Sequence, residues 1–457
     1  MSPAIAAIVS FHLAFWDGRL SILVAVFLFC LFRLTFIKGS WLAMAVGTGI
    51  GLLIYVPHLA FFWGVFGFWA IPLWLTVSMW IGFYLVLGGL CLRSFGLFGL
   101  AVASPFLWTG LEYFRSELYG LRFSWLTPGL AFSNGSELPM MGSYGVYGIS
   151  FMILAGASTF IIMPAVKKKS RLVLIAFLFC MLAYPAFAEW KRKPVQGPVV
   201  RVAGIELHSP SEKDVLAGLS RLVEAHPEAE LLVLAEATLR GAVPDSVREW
   251  CRSHARHLVV GGRDIHPDGT FHNTAYVVDS AGNVVFQQAK SRPVQFLHDG
   301  LPAKERKLWN SPWGPVAVAI CNDSAYRRAL DEFAAMGARA LILPTMDAVA
   351  WGTHQHELHA GIARMRAGEY RIPVLRLCGT GLSTLVKQNG IIAESTPFPG
   401  GQAMIAGTVE IGAPARVPLD RWLTMISVVM TAAIASWFAS IAFVKWRIRR
   451  NVGRLRV

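Results

Sequence analysis

The sequence predicts a helical transmembrane bundle of about eight spans joined to a layered α/β domain, and three observations carry that expectation. Of 457 residues, 54% are hydrophobic and only 15% are charged, the composition of a membrane protein. Apolar runs near the ~20 residues needed to cross a bilayer fill the first 190 positions and return close to the end. Between them, short strand-like runs alternate with amphipathic helical patterns, the signature of stacked sheets covered by helices.

The apolar segments run over 3–16, 20–37, 41–63, 66–91, 95–113, 144–165, 172–188 and 422–445. The first lacks a basic leader and a small-residue cleavage site, so it reads as part of the bundle. The net charge of +14 is unevenly placed. Residues 1–194 carry +8 and residues 421–457 carry +7, whereas 195–420 sum to −1. The excess flanks apolar segments, which fits the positive-inside rule and gives no support to nucleic-acid binding. With a cytoplasmic N-terminus, Arg33, Lys38, Arg93, the Lys167–Arg171 cluster and the Lys445–Arg456 tail fall on one side. The domain between spans seven and eight then faces the periplasm of a bacterial inner membrane. The sequence so divides into a seven-span region 1–190, a domain 195–418, and a closing helix with its basic tail 420–457. The loop 114–143 lies on the domain's side, with Glu112 near a span end where it can snorkel or pair with Arg115.

Within the domain, strands are expected at Val199–Leu207, Glu230–Leu234, Leu258–Gly262, Val316–Cys321, Ala340–Leu343 and Pro373–Leu377. Two hairpins are expected as well: Thr274–Val278 with Val284–Lys290, and Ser383–Lys387 with Ile391–Glu394. Helices are expected at Glu212–His226, Asp245–His257, Tyr326–Met336 and Gln355–Tyr370.

Three polar residues stand at strand ends. Cys321 closes the apolar run Gly314–Ile320 just before a helical pattern, where backbone N–H groups and a helix dipole favour a thiolate. Glu236 directly follows Leu231–Ala235, and Lys290 ends a hairpin strand. Read singly, each is ordinary: a packed thiol, a solvated acid, an edge lysine. Together they complete a chemistry in which a carboxylate takes the thiol proton and an ammonium holds the oxyanion of a tetrahedral intermediate. Cys251 and Cys378 also lie in the domain, while Cys30, Cys91 and Cys180 lie in apolar segments. No C-x-x-C pair is present, and the odd number of cysteines in the domain leaves at least one free thiol there. His354, His356 and His359 tempt a zinc reading, but their spacing is not the i, i+4 of helical ligands, so neither metal nor cofactor is expected.

Glu236, Lys290 and Cys321, each at a strand end, resemble the nitrilase or carbon–nitrogen hydrolase superfamily. Val260-Gly261-Gly262, Phe271-His272-Asn273-Thr274-Ala275, Arg364-Met365-Arg366-Ala367-Gly368-Glu369 and Cys378-Gly379-Thr380-Gly381 agree with it. Trp108 through Trp125 and Gly142 through Phe151 extend the resemblance into the membrane, to the apolipoprotein N-acyltransferase branch. The resemblance implies an α-β-β-α sandwich and a catalytic Glu236–Lys290–Cys321 triad.

The departures concern substrate. In that branch a His-Leu-Val-Pro-Phe-Gly-Glu stretch follows the lysine. Here Arg292-Pro293-Val294-Gln295-Phe296-Leu297-His298-Asp299 stands, with His298 in the place of the supporting Glu and Asp299 beside it. Asn322-Asp323 replaces Tyr-Glu after the cysteine, and Thr345-Met346-Asp347 replaces Ser-Asn-Asp. The chain looks nearer to TraB-type membrane proteins encoded with conjugation genes on rhizobial and Agrobacterium plasmids. The resemblance implies a membrane thiol acyltransferase or amidase with His298, Asp299, Asn322 and Asp323 supporting the triad. Its substrate would be a membrane lipid, protein or peptide, such as a pilin precursor. The alternatives are apolipoprotein N-acylation from a phospholipid donor and a degenerate scaffold for a conjugation machine.

Overall fold

In a computed structural model describing residues 2–134, 139–190 and 195–454, the N-terminal region is helical. Its helices are α1 (Pro3–Trp16), α2 (Val24–Leu34), α3 (Ser40–His58), α4 (Phe61–Phe66), α5 (Ala70–Tyr113), α6 (Pro139–Ile162) and α7 (Lys168–Trp190). Among the described residues, five helices are long and apolar enough to cross a membrane: Ser40–His58, Phe61–Leu118, Met140–Ala165, Lys168–Ala188 and Asp420–Asn451. Eight separate runs were expected. The difference is smaller than the count suggests. Gly96, at φ 70° and ψ −172°, breaks the 58-residue stretch, and the segments on either side fold back on each other. Tyr84 Oη lies 2.6 Å from Ser104 Oγ and the Tyr84 ring 5.3 Å from that of Trp108, so runs 66–91 and 95–113 form two packed segments. The first two runs form the shorter α1, of 14 residues, and α2, of 11 residues preceded by a 3-10 turn.

Small residues set the packing of α3 on α5. A Cβ on Gly47 would lie 2.6 Å from Gly82 Cα, and one on Gly51 2.6 Å from the Ser78 carbonyl oxygen. Such contacts let helix backbones touch in a lipid setting, where packing rather than hydrophobicity holds helices together.

The domain is built on two six-stranded sheets. Its strands are β1 (Val199–Ile205), β2 (Leu231–Val233), β3 (His257–Ile265), β4 (Phe271–Val278), β5 (Val284–Ala289), β6 (Leu308–Ser311), β7 (Gly314–Val318), β8 (Ala340–Thr345), β9 (Val374–Cys378), β10 (Thr384–Val386), β11 (Ile392–Ser395) and β12 (Met404–Glu410). One sheet runs β12-β1-β2-β3-β4-β5 and the other β11-β10-β9-β8-β7-β6. Val202, Val233 and Val259 of the first meet Val316, Val318 and Ile342 of the second in a dry core. Helices α8 (Glu212–Ala225) and α9 (Asp245–His254) cover the first sheet, and α10 (Arg327–Ala335) and α11 (Thr353–Tyr370) the second. The architecture is therefore an α-β-β-α sandwich. β6 and β12 were not foreseen; β12 pairs antiparallel with β1 over seven residues and forms that edge of its sheet.

The last helix, α12 (Asp420–Arg454), returns to the apolar region and packs on α5 and α6. Arg456 of the expected basic tail lies outside the described residues. Buried polar contacts tie the domain to the helices beneath it. The Glu117 carboxylate accepts the Arg327 backbone N–H at 2.8 Å, placing a negative charge at the N-terminus of α10. The Arg327 guanidinium reaches Thr424 at 3.0 Å and the Asp420 carboxylate at 3.4 Å. Glu112 is buried and accepts from Ser150 Oγ at 3.1 Å, a bond from α6 where a pairing with Arg115 was one of two expectations.

Candidate active site

Glu236, Lys290 and Cys321 all emerge where strands end. The strand Leu231–Val233 stops three residues before Glu236, and the backbone turns there with Ala237 at φ 53°. Gly261 of the neighbouring β3 makes room for this turn, since a Cβ there would lie 2.6 Å from Glu236 Cα. Cys321 has φ 47°, the left-handed region that costs a non-glycine residue energy and that recurs at functional turns. The residues that follow form a 3-10 turn, Cys321–Ala325, and α10 starts only at Arg327. The helix dipole invoked from sequence is therefore displaced from the sulfur.

Lys290 is 1% exposed and its ammonium is clamped between two carboxylates, Glu236 Oε1 and Asp299 Oδ2, each at 2.7 Å. Asn273 Nδ2 bridges the same pair, donating to Glu236 Oε1 at 2.7 Å and Asp299 Oδ1 at 2.9 Å. Burial opposes the charge on Lys290, but Glu236, Cys321 and Asp299 outweigh it and hold the group protonated well above its ordinary range. For Cys321 burial acts first and the Glu236 charge adds to it; together they override Lys290 and push the thiol well above its usual value. Burial and the Glu236 charge therefore favour the protonated thiol over the thiolate expected from the turn, and a thiol in that state needs a base before it can attack.

The supporting residues divide by position. Asp299 sits at the lysine and also accepts the Val294 N–H at 2.7 Å, fixing the loop it belongs to. His298 is exposed and packs its ring against Phe271, with centroids 5.1 Å apart. One residue further along the chain, the carboxylate thus fills the position that His298 appeared to vacate. Asp323 is fully buried and accepts backbone N–H groups of Ser291, Arg292 and Ile320 at 2.6–3.1 Å, stitching the lysine loop to the cysteine turn. Asn322 donates to the Arg292 carbonyl at 3.0 Å. Arg366 donates to the Ser324 and Ala325 carbonyls at 2.8 and 3.0 Å, so the Arg-Met-Arg-Ala-Gly-Glu motif braces the turn after the nucleophile.

The three histidines go to three environments. His354 Nε2 bonds His58 Nδ1 of α3 at 2.7 Å, and His356 stacks on Phe398 with centroids 3.9 Å apart. His359 Nδ1 meets Asp347 Oδ1 at 2.7 Å. Among the described residues, Cys321, Asp347 and His359 bring one ligand atom each within 4.8 Å of one another, a donor set a cation could use. The Arg376 guanidinium already occupies Asp347 Oδ2 at 2.5 Å, and its positive charge opposes a metal there. Cys378 is packed: a Cβ on Gly381 would lie 2.7 Å from its sulfur, and burial pushes the thiol up to about 12.

A cavity of about 110 Å³ opens onto Cys321. Phe62, Phe66 and Leu73 of the helical region form one wall, and Trp125, Phe296 and Trp351 form others. An adjoining space of about 600 Å³, lined by Val65, Phe66, Trp69, Leu73, Leu121 and Phe296, shares much of that wall. Sequence motifs pointed to the triad but gave no sign of this cavity, because its walls come from distant apolar segments. Asn273 and Asp347 each sat inside a quoted motif without a role; their positions, on β4 and directly after β8, were the available signal.

Residues 216–408 match the family model for carbon-nitrogen hydrolase. Over a wider stretch the chain is similar to two curated enzymes. Apolipoprotein N-acyltransferase of Geobacter metallireducens is 26% identical over 364 residues, 68% of this chain and 69% of that one. The enzyme of the same name from Shewanella oneidensis is 24% identical over 385 residues, covering 72% and 73%. Among solved structures, the carbon-nitrogen hydrolase of Helicobacter pylori aligns with a TM-score of 0.41 at 14% identity, over 47% of this chain and 89% of that one.

Proposed function

We propose that the chain is an inner-membrane thiol N-acyltransferase that takes an acyl group from a phospholipid and gives it to the N-terminal amine of a lipoprotein. The observation that carries this reading is the apolar cavity connecting the helical region to Cys321. A soluble amide needs no such wall, whereas an acyl chain of a membrane lipid does. In the first half-reaction Cys321 Sγ attacks the ester carbonyl while Glu236 takes the thiol proton. Lys290 stabilises the oxyanion, and the lysolipid alcohol leaves with the proton held by Glu236. An amine then resolves the thioester and the amide forms. The catalytic domain faces the periplasm in this account, on the strength of the charge pattern.

The sequence offers lipoprotein acylation as the alternative to a conjugal-transfer role, and the acyltransferase relatives favour it. A pilin precursor of the TraB-type expectation remains a different acceptor for the same thioester. Complementation separates them. In a strain depleted of its own apolipoprotein N-acyltransferase, the chain should restore growth in a Cys321-dependent manner. Membrane accumulation without growth would remove the lipoprotein acceptor and leave the thioester chemistry to a peptide substrate.

A further inference from the structure

We propose that His359, oriented by Asp347, is a second proton acceptor at Cys321 and serves the step in which the amine resolves the thioester. This rests on the acyl-enzyme reading above and adds a residue that the Glu236–Lys290–Cys321 set does not contain.

Three observations converge. A ring nitrogen of His359, the Cys321 sulfur and an Asp347 carboxylate oxygen all lie within 4.8 Å of one another. His359 is 2% exposed, its Nδ1 lies 2.7 Å from Asp347 Oδ1, and its Nε2 is buried with no hydrogen-bond partner among the described residues. A buried ring nitrogen without a partner is free to accept a proton from a transient donor. Finally, His359 and Cys321 both line the apolar cavity, and neither Glu236 nor Lys290 does.

The surroundings fix the tautomer. Burial alone would raise the Asp347 carboxyl, but His359 and Arg376 outweigh it and hold it well below the usual carboxylate range. The ionised Asp347 therefore receives the Nδ1–H, which leaves Nε2 as the acceptor. Trp125 stacks on the imidazole with centroids 5.0 Å apart and planes 28° apart, packing one face of the ring. The charged and titratable groups facing it are Asp347, Arg376, His356 and Cys321, with Arg376 3.3 Å from Nδ1.

The step balances. The amine lone pair forms the C–N bond at the thioester carbonyl, and one N–H proton passes to His359 Nε2. The tetrahedral intermediate collapses with the C–S electron pair returning to sulfur. His359 then returns its proton to the Cys321 thiolate, leaving amide and thiol. Glu236, already bonded to Lys290 and Asn273, is spared this second transfer.

The test uses the full chain in detergent, loaded from phosphatidylethanolamine–phosphatidylglycerol vesicles and followed by intact mass. A diacylglyceryl peptide with a free N-terminal amine is then added. His359→Gln should form the thioester but discharge it to the peptide at least 100-fold more slowly than wild type, within the range of a lost general base. Added imidazole should recover part of the rate in His359→Ala, which a structural role would not produce. Discharge by His359→Gln within threefold of wild type overturns the inference and leaves the acyl-enzyme intact. Failure of wild type to form any thioester removes the acyl-enzyme reading, and the inference with it. Asp347→Asn, which keeps the ring in place, is read by the same comparison and decides the matter if His359→Gln does not accumulate.

Discussion

Asp299→Asn should slow thioester formation sharply, while His298→Ala should leave it unchanged. The Lys290 ammonium is 1% exposed and has two anionic partners, each 2.7 Å away. At an effective dielectric near 20, one such contact is worth about 6 kcal/mol of Coulomb energy. An asparagine keeps a hydrogen bond to the lysine, and Glu236 keeps its charge, so only part of that energy is lost. Breaking one partner from a buried pair costs on the order of 3–5 kcal/mol. If about 2–4 kcal/mol of this falls on the transition state, the rate drops roughly 30- to 1,000-fold. His298 is exposed and touches the Phe271 ring, so its loss should stay within about 0.5 kcal/mol. The assay is the initial rate of acyl-enzyme formation on vesicles, with membrane accumulation measured alongside. A silent Asp299→Asn paired with a crippled His298→Ala would refute the assignment of the carboxylate to Asp299.

Two further outcomes are expected. A topology reporter fused near Lys168 should report cytoplasm and one near Gly300 periplasm; the opposite result at either site overturns the orientation. Glu369 lies fully buried between Arg366 and Arg421, and these charges outweigh burial and hold its carboxyl low. Glu369→Gln should therefore destabilise the protein by about 3–5 kcal/mol, read as a lower unfolding temperature in detergent. Because the folded carboxyl is depressed, its contribution is full above an unfolded value of about 4.3 and is lost as pH falls below that. An unchanged melting temperature in Glu369→Gln would show that the cluster does not bear on the fold.

Strand-end logic made much of the domain legible. Apolar runs bounded by turn residues located β2, β7, β8 and β9, and the polar residue after each of β2, β7 and β8 faces the catalytic region. The two strands that escaped notice lacked that pattern: β6 is four residues, Leu308–Ser311, and β12 carries Gly407 in its middle. Span boundaries were less readable. The first two apolar runs keep only 14 and 11 residues in α-helix, and hydropathy does not show where within such a run the helix stops. The relation of His298 to Asp299 could not be decided from one chain, because a one-residue shift in a loop swaps which side chain points inward. Convergence of α11 on the nucleophile was invisible for a different reason. His359 reaches Cys321 through the pairing of β8 with β7 and β9, contacts that local patterns do not encode.

The account stands or falls on a covalent acyl group at Cys321. Purified protein incubated with phosphatidylethanolamine–phosphatidylglycerol vesicles and examined by intact and peptide-level mass should carry one fatty-acyl adduct on the peptide containing Cys321. The adduct should be released by hydroxylamine, absent from Cys321→Ala, and retained in Cys378→Ala. An adduct that persists in Cys321→Ala, or vesicle-treated wild-type protein that never gains one, would contradict the acyl-enzyme at the centre of the proposed function.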